Sequence, residues 1–130
     1  MGIRYEKDTI LKWINEMGKF LRLLVERWDD KVKDNSVVAE IEAGYQSFFE
    51  DDRVHFVQMS TEDLVHYVKT LPFEKIRPLA QLMMYDGLIN QDQNMLQKAK
   101  TLFEWHMQQS GSFAFEDYGF LAKIEQALRD

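Results

Sequence analysis

The side chains with the most chemical potential in this sequence are Asp86, the three histidines His55, His66 and His106, and the acidic run Glu50-Asp51-Asp52. Glu62 and His66 stand four residues apart, a spacing that puts both on one side of a helix and can hold a metal ion. No second pair of ligands lies near them, so a surface hydrogen-bonding pair is expected and no metal site. Asp86 and His106 each fall on the apolar stripe of a helix. A buried carboxylate is costly unless paired, so Asp86 is expected either to end its helix, with Gly87 just beyond, or to find an arginine. A histidine on an apolar face is expected to be a core residue with bonded ring nitrogens. If the helices carrying the two are antiparallel, Asp86 lies near Met95 and His106 near Arg77 and Leu79, too far apart for a catalytic pair. An enzyme would need Asp86, His106 or Tyr118 to converge on one pocket.

Other chemistries have no carrier. Glu50-Asp51-Asp52 lacks the alternating ligand rhythm of a calcium loop. The chain has no glycine-rich phosphate loop, Gly-x-Ser-x-Gly elbow or His-Glu-x-x-His. With no cysteine, disulfides, thiolate nucleophiles and Cys-based zinc sites are excluded. The expectation is a protein that is not an enzyme and takes no cofactor.

The elements that would position these groups are helices. The chain of 130 residues is 45% hydrophobic and 13% aromatic, with two prolines and six glycines. That suits one packed domain over 1–130. Periods near 3.6 residues dominate and strict alternation is absent, so the fold class is all-α, a compact array of about six helices with short loops. The first helix is expected over 8–29, followed by an array over 36–128. On a helical wheel Ile10, Ile14, Met17, Leu21, Leu24 and Trp28 form a seam spaced four, three, four, three, four. Trp13 and Phe20 flank it on one side, Leu11, Gly18 and Val25 on the other. The apolar arc covers roughly half the circumference, wider than the ~100° that one core requires. Two neighbours are implied, one of which could be a second chain.

Further along, Asp29 to Asn35 reads as a polar connector. Val38, Ile41, Tyr45, Phe48 and Phe49 share a face of the second helix. Ser60 is placed to cap a third helix, with Met59 and Leu64 as a hydrophobic staple. That helix presents Leu64, Val68 and Leu71 and stops at Pro72. Pro78 suits the first turn of a fourth helix, whose residues 79–89 are apolar nearly all round and should be the most buried. Gly87 is either its terminator or a small packing residue inside a longer helix; the apolar pattern continuing through Leu88 and Ile89 favours packing. Met95, Ala99, Leu102, Phe103 and His106 mark a fifth helix and Ser110-Gly111-Ser112 a turn. Ala114, Tyr118, Leu121, Ile124 and Leu128 mark a sixth. The methionines are expected to fill core gaps.

Gly87, Ala99 and Phe103 have the relative spacing of small and aromatic positions in a tetratricopeptide hairpin, so residues 78–108 resemble one. Met83 stands where that repeat has Trp and Gly111 where it has Pro. The overall layout is similar to small bacterial all-helical proteins of unknown function: an amphipathic opening at Asp8 to Leu24, a Ser-x-Glu-Asp-Leu start at Ser60 to Leu64, and a Leu-Ala-x-Leu stretch ending in glycine at Leu79 to Gly87. The resemblance implies a helical fold and no activity.

The formal net charge is −6. Residues 1–33 hold eight Lys/Arg against six Asp/Glu, and the remainder eight against sixteen. An acidic body repels phosphate backbones, so no nucleic acid is expected. No segment has the length and apolarity of a membrane span, and Met1 to Glu6 carries neither a signal-peptide core nor a myristoylation signal. A cytoplasmic location follows as an expectation. The functional expectation is an interaction module that forms a homodimer through Ile10, Trp13, Ile14, Met17, Phe20, Leu21, Leu24 and Trp28. Leu21→Glu should then weaken the dimer while leaving helicity intact. The competing reading makes the first helix the central helix of a monomer. The alternative function is an acidic immunity-type or adaptor protein that binds a specific protein partner, with an exposed acidic patch at Glu50 to Asp52 beside a Tyr or Trp.

Overall fold

The computed structural model describes residues 2–29, 35–111 and 114–129. The expected connector at Asp30 to Asp34 and the Ser112 turn position lie outside the described residues. Within them the chain is all-α, with no strand. Seven α-helices run in order: α1 (Gly2–Asp29), α2 (Asn35–Phe49), α3 (Arg53–Gln58), α4 (Thr61–Val68), α5 (Ile76–Asn90), α6 (Gln93–Ser110) and α7 (Phe115–Arg129). A 3-10 turn at Phe73–Lys75 leads into α5. Among the described residues no helix is long and apolar enough to cross a membrane.

Local chemistry sets the helix ends. The Ser60 hydroxyl accepts from the Asp63 N–H at 3.0 Å and starts α4, with Met59 and Leu64 both buried beside it, as a capped and stapled start requires. Pro72 follows α4, and Pro78 sits in the first turn of α5, where a missing N–H costs nothing. The Asp92 carboxylate caps α6 through the Asn94 and Met95 N–H groups. Gly111 ends α6 at φ +68°, the left-handed position that glycine occupies without strain.

Three elements depart from the sequence reading. Helix α1 begins at Gly2 rather than near residue 8. A short helix, α3, stands where no helix was expected. The inner face of α7 also differs at its start: Asp117 is buried, while Ala114 and Tyr118 are exposed. Arg77 draws Asp117 inward through a 2.6 Å bond from Nε, which turns Tyr118 outward.

Helix α5 is the axis of the molecule. It packs against α1, α2, α6 and α7. Leu79, Ala80, Leu82, Met83 and Met84 have no exposed surface. Met17, Met59, Met83, Met84, Met95 and Met107 are all buried, as expected of flexible gap fillers. Helix α5 runs on past Gly87 to Asn90, and Gln91 takes the left-handed capping position at φ 54°. Gly87 is therefore a packing residue. A Cβ there would stand 2.6 Å from the Leu96 Cγ, so its absence lets α5 and α6 close up at that end of their antiparallel hairpin.

Candidate functional site

The polar centre of the fold is Asp86, which has no exposed surface. Its Oδ2 accepts from the Tyr45 hydroxyl at 2.7 Å and from Arg53 Nε at 2.9 Å. Its Oδ1 accepts from Arg53 Nη2 at 3.0 Å and from Asn90 Nδ2 at 2.8 Å. The arginine is thus bidentate, the strongest geometry for a guanidinium and a carboxylate. Arg53 opens α3, and Phe56 of the same helix stacks on Tyr45 with ring centroids 5.0 Å apart. Burial, with the Asp86 charge added, raises the Tyr45 phenol well above its ordinary value. The bond to Asp86 likewise raises the Arg53 guanidinium. Both groups therefore act as fixed donors, and the carboxylate has no oxygen free for a substrate.

Lys98 secures the other end of α3. It is 5% exposed, and its Nζ donates to the Phe56 carbonyl at 3.0 Å and the Val57 carbonyl at 2.6 Å. These are orphan carbonyls near a helix C-terminus, where a cation is favoured. Burial lowers its ammonium from the ordinary value, with Asp92 and Asp86 opposing. Lys98 was not among the residues expected to do chemistry. Its signal was a cation placed on the apolar face between Met95 and Leu102.

His106 belongs to a separate cluster. It stacks on Phe73 with centroids 4.5 Å apart. Burial pushes the imidazole below its ordinary value; Asp117 opposes this and Arg77 adds to it. Arg77 also reaches Glu116 at 3.3 Å. His106 therefore lies near Arg77, as an antiparallel hairpin requires, and is not brought to Asp86. Tyr118 is 54% exposed. Glu62 and His66 are both exposed on α4. Among the described residues no three His, Asp or Glu side chains gather into a metal cage, and no buried side-chain polar atom lacks a hydrogen-bond partner.

The acidic run sits between α2 and α3. Glu50 adopts φ 56°. Asp51 pairs with His55 Nδ1 and accepts from the Asp52 N–H. Tyr67 stands beside the run. Burial raises its phenol first, and the charges of Asp51 and Glu50 raise it further.

The residues expected at an interface divide into three groups. Met17, Leu21 and Leu24 are buried in the chain's own core. Trp13, Phe20 and Trp28 are half-buried against it. Trp13 Nε1 donates to the Phe48 carbonyl at 3.0 Å, the Phe20 ring lies over Gly44, and Trp28 meets Tyr85 edge-on. The two neighbours implied by the wide arc are therefore α2 and α5 of the same chain. Ile10 and Ile14 form the third group. They are half-buried and stand outside the core cluster. Beside them Leu11 is 49% exposed, and no atom of the described residues outside the surrounding helix backbone comes within 4 Å of where a Gly18 Cβ would stand. Leu21→Glu would accordingly put a charge into the core and damage the fold, so it cannot serve as the dimer test.

No family model, curated protein or solved structure matches this chain.

Proposed function

We propose that the protein is a non-enzymatic helical interaction module that pairs with a second copy of itself through the outer face of α1, crossing at Gly18. The observation that carries this reading is the apolar flank left over there: Ile10, Leu11 and Ile14 around an open Gly18. A two-fold axis at Gly18 lays this flank across residues 18–26 of the partner's α1, and the partner's flank across the same stretch here. In an antiparallel crossing Leu11 then faces the partner's Val25, and the missing side chain at Gly18 lets the two backbones approach. Burying the exposed parts of these side chains in both copies is worth roughly 5–9 kcal/mol. Association costs ~4–15 kcal/mol, which leaves at most about 5 kcal/mol, so the dimer is weak, with a Kd no tighter than about 0.2 mM. The saturated network at Asp86 supports a structural rather than a catalytic use of the polar core. A cytoplasmic setting accords with this reading, since a chain without cysteine draws nothing from an oxidising compartment.

Sedimentation velocity over a concentration series tests the pairing. The mass should rise with concentration for the wild type. Leu11→Glu should stay monomeric with unchanged helicity by circular dichroism, because Leu11 is half in water already. A wild type that stays monomeric up to about 1 mM, well above any useful affinity, would sink the reading.

A second reading, an adaptor of the immunity type, has one observation in its favour. Tyr67 lies beside Glu50 and Asp51, which joins an aromatic ring to an acidic surface, a combination suited to a basic protein segment. Reversing Glu50 and Asp52 to lysine should abolish capture of such a partner and leave self-association intact.

A further inference from the structure

Helix α7 turns Asp117, Phe120, Leu121, Ile124 and Leu128 toward the body of the protein. Its outer side would ordinarily be polar. Here, among Glu116, Lys123 and Glu125, Phe115, Gly119, Ala122 and Gln126 follow one another at spacings of four, three and four, the rhythm of a seam between two helices. All four are exposed. Phe115 is 96% exposed, and the space over Gly119 is open. The end of the seam opens into an apolar groove of ≈ 470 Å³ between Trp28, Leu88 and Ala127. A second hollow of ≈ 380 Å³ shares Leu88 and Ala127 with the first.

Charge selects what can lie there. Of the four charged residues nearest the seam, the two acids each reach a cation of the body: Glu116 reaches Arg77, which Asp117 shares, and Glu125 reaches Lys100. Lys123, on the rim of the groove, and Arg129, one turn beyond, meet no described acid. The seam therefore has a cationic border on a protein whose net charge is −6. A second copy is a poor occupant. An antiparallel α7 centred on the seam would set Glu116 against Glu125 and offer no acid to Lys123, which would face Tyr118.

We infer that the outer face of α7 and the groove at Trp28 form a docking site for an amphipathic helix of another protein, one whose apolar stripe is bordered by aspartate or glutamate. This goes beyond the self-association proposed for α1 and uses a different surface. The partner's large apolar residues would cover Phe115 and Ala122, pass close over Gly119, and end in the groove against Trp28 and Leu88. Lys123 and Arg129 would meet its acidic border, which fixes orientation and speeds encounter more than it adds affinity.

Two synthetic helical peptides of about fifteen residues, the length of α7 at ~1.5 Å per residue, provide the test. Both carry leucine at the seam positions; one is bordered by glutamate, the other by lysine. Binding to the full chain is followed by NMR amide shifts. The acidic peptide should saturate, with shifts centred on Gly119, Ala122 and Gln126. The lysine peptide should bind at least about tenfold more weakly. Ala122→Glu should abolish acidic binding, and Lys123→Glu should narrow or reverse the preference. Both substitutions are on exposed sites, so circular dichroism should show an intact fold. The proposal fails if neither peptide saturates, if both bind alike, if the shifts map elsewhere, or if wild-type α7 proves covered by a second copy that Ala122→Glu releases.

Discussion

At the centre of the molecule Asp86 has no surface in water and four donors on its carboxylate. At the edge Phe115 keeps 96% of its surface in water on a helix whose other side is well packed. The two regions invert the usual placement of charge and grease. A buried carboxylate survives because its desolvation cost is offset by a bidentate arginine, a phenol and an amide. An exposed phenylalanine has no such compensation within the fold. The polar anomaly is explained by the chain's own contacts, whereas the apolar anomaly is not, so function is more credibly sought on the outer faces of α1 and α7 than at the most polar point of the core.

The sharpest way to break this comparison is to open the centre. Arg53→Ala should cost about 3–5 kcal/mol by urea denaturation, because it strands a charge with no route to water. Asp86→Asn should cost less, since the Arg53 side chain is 22% exposed and can turn toward solvent. Arg53→Lys should fall between, a point charge being unable to hold both oxygens. If Arg53→Ala were neutral, the network would not be the organiser of the α2–α3–α5 junction.

Close packing should give the next largest effect. Gly87→Ala places a Cβ 2.6 Å from Leu96 Cγ and 3.0 Å from the Leu96 nitrogen. The nitrogen is backbone and cannot swing away, so a loss of about 1–3 kcal/mol is expected from overpacking. A thermal melt distinguishes this from the gain that alanine normally gives over glycine inside a helix.

The pH response isolates Tyr45. Its folded phenol is raised by burial and by Asp86, while the unfolded phenol ionises near pH ~10. Below that, both states hold the proton and stability is unaffected. Above it, the unfolded chain releases a proton that the folded chain retains, so stability falls by up to about 1.4 kcal/mol per pH unit. Lys98, with its ammonium lowered by burial, works in the opposite sense on the alkaline side. The measurement is therefore the difference between wild type and Tyr45→Phe in urea titrations above pH ~10. The variant should show the shallower decline; equal slopes would mean that the phenol does not govern the response.

The parts of the fold legible in the sequence were those built from local rules. The Ser60 cap, the nearly all-round apolar stretch in α5 and the antiparallel return that separates Asp86 from His106 all follow from neighbours in the chain, whereas α4 ends at Val68, four residues before the stop expected at Pro72. An arginine for Asp86 was expected in kind, but its identity was hidden, because Arg53 is 33 residues away. Helix α3 was missed for a physical reason. Six residues are too few to show a period, and its stability comes from Phe56 in the core and from Arg53 and Lys98 at its ends. The facing of α7 departs only at its start: Leu121, Ile124 and Leu128 pack on the core as expected, but Arg77, 40 residues away in the chain, draws Asp117 inward and Tyr118 turns out. Gly44, which makes room for Phe20 across the α1–α2 contact, carries no signal of its own in the sequence.

The smallest expected effect bears most directly on the outer face of α1. Gly18 lies inside a helix, and among the described residues no atom beyond that helix's own backbone lies within 4 Å of the position its Cβ would take. In an isolated chain Gly18→Ala should therefore stabilise by about 0.5–1 kcal/mol, through lower backbone entropy in the unfolded state. At an antiparallel crossing centred on Gly18 the same methyl group would separate two backbones and weaken their pairing. One substitution thus moves two readouts in opposite directions, a higher melting temperature at low concentration and a weaker concentration dependence of mass. If both rose together, copies would still meet, but with the axis displaced from Gly18. If the melting temperature alone rose and mass never depended on concentration, the open glycine would be a vacancy on a monomer's surface, and the apolar flank of α1 would need a partner other than itself.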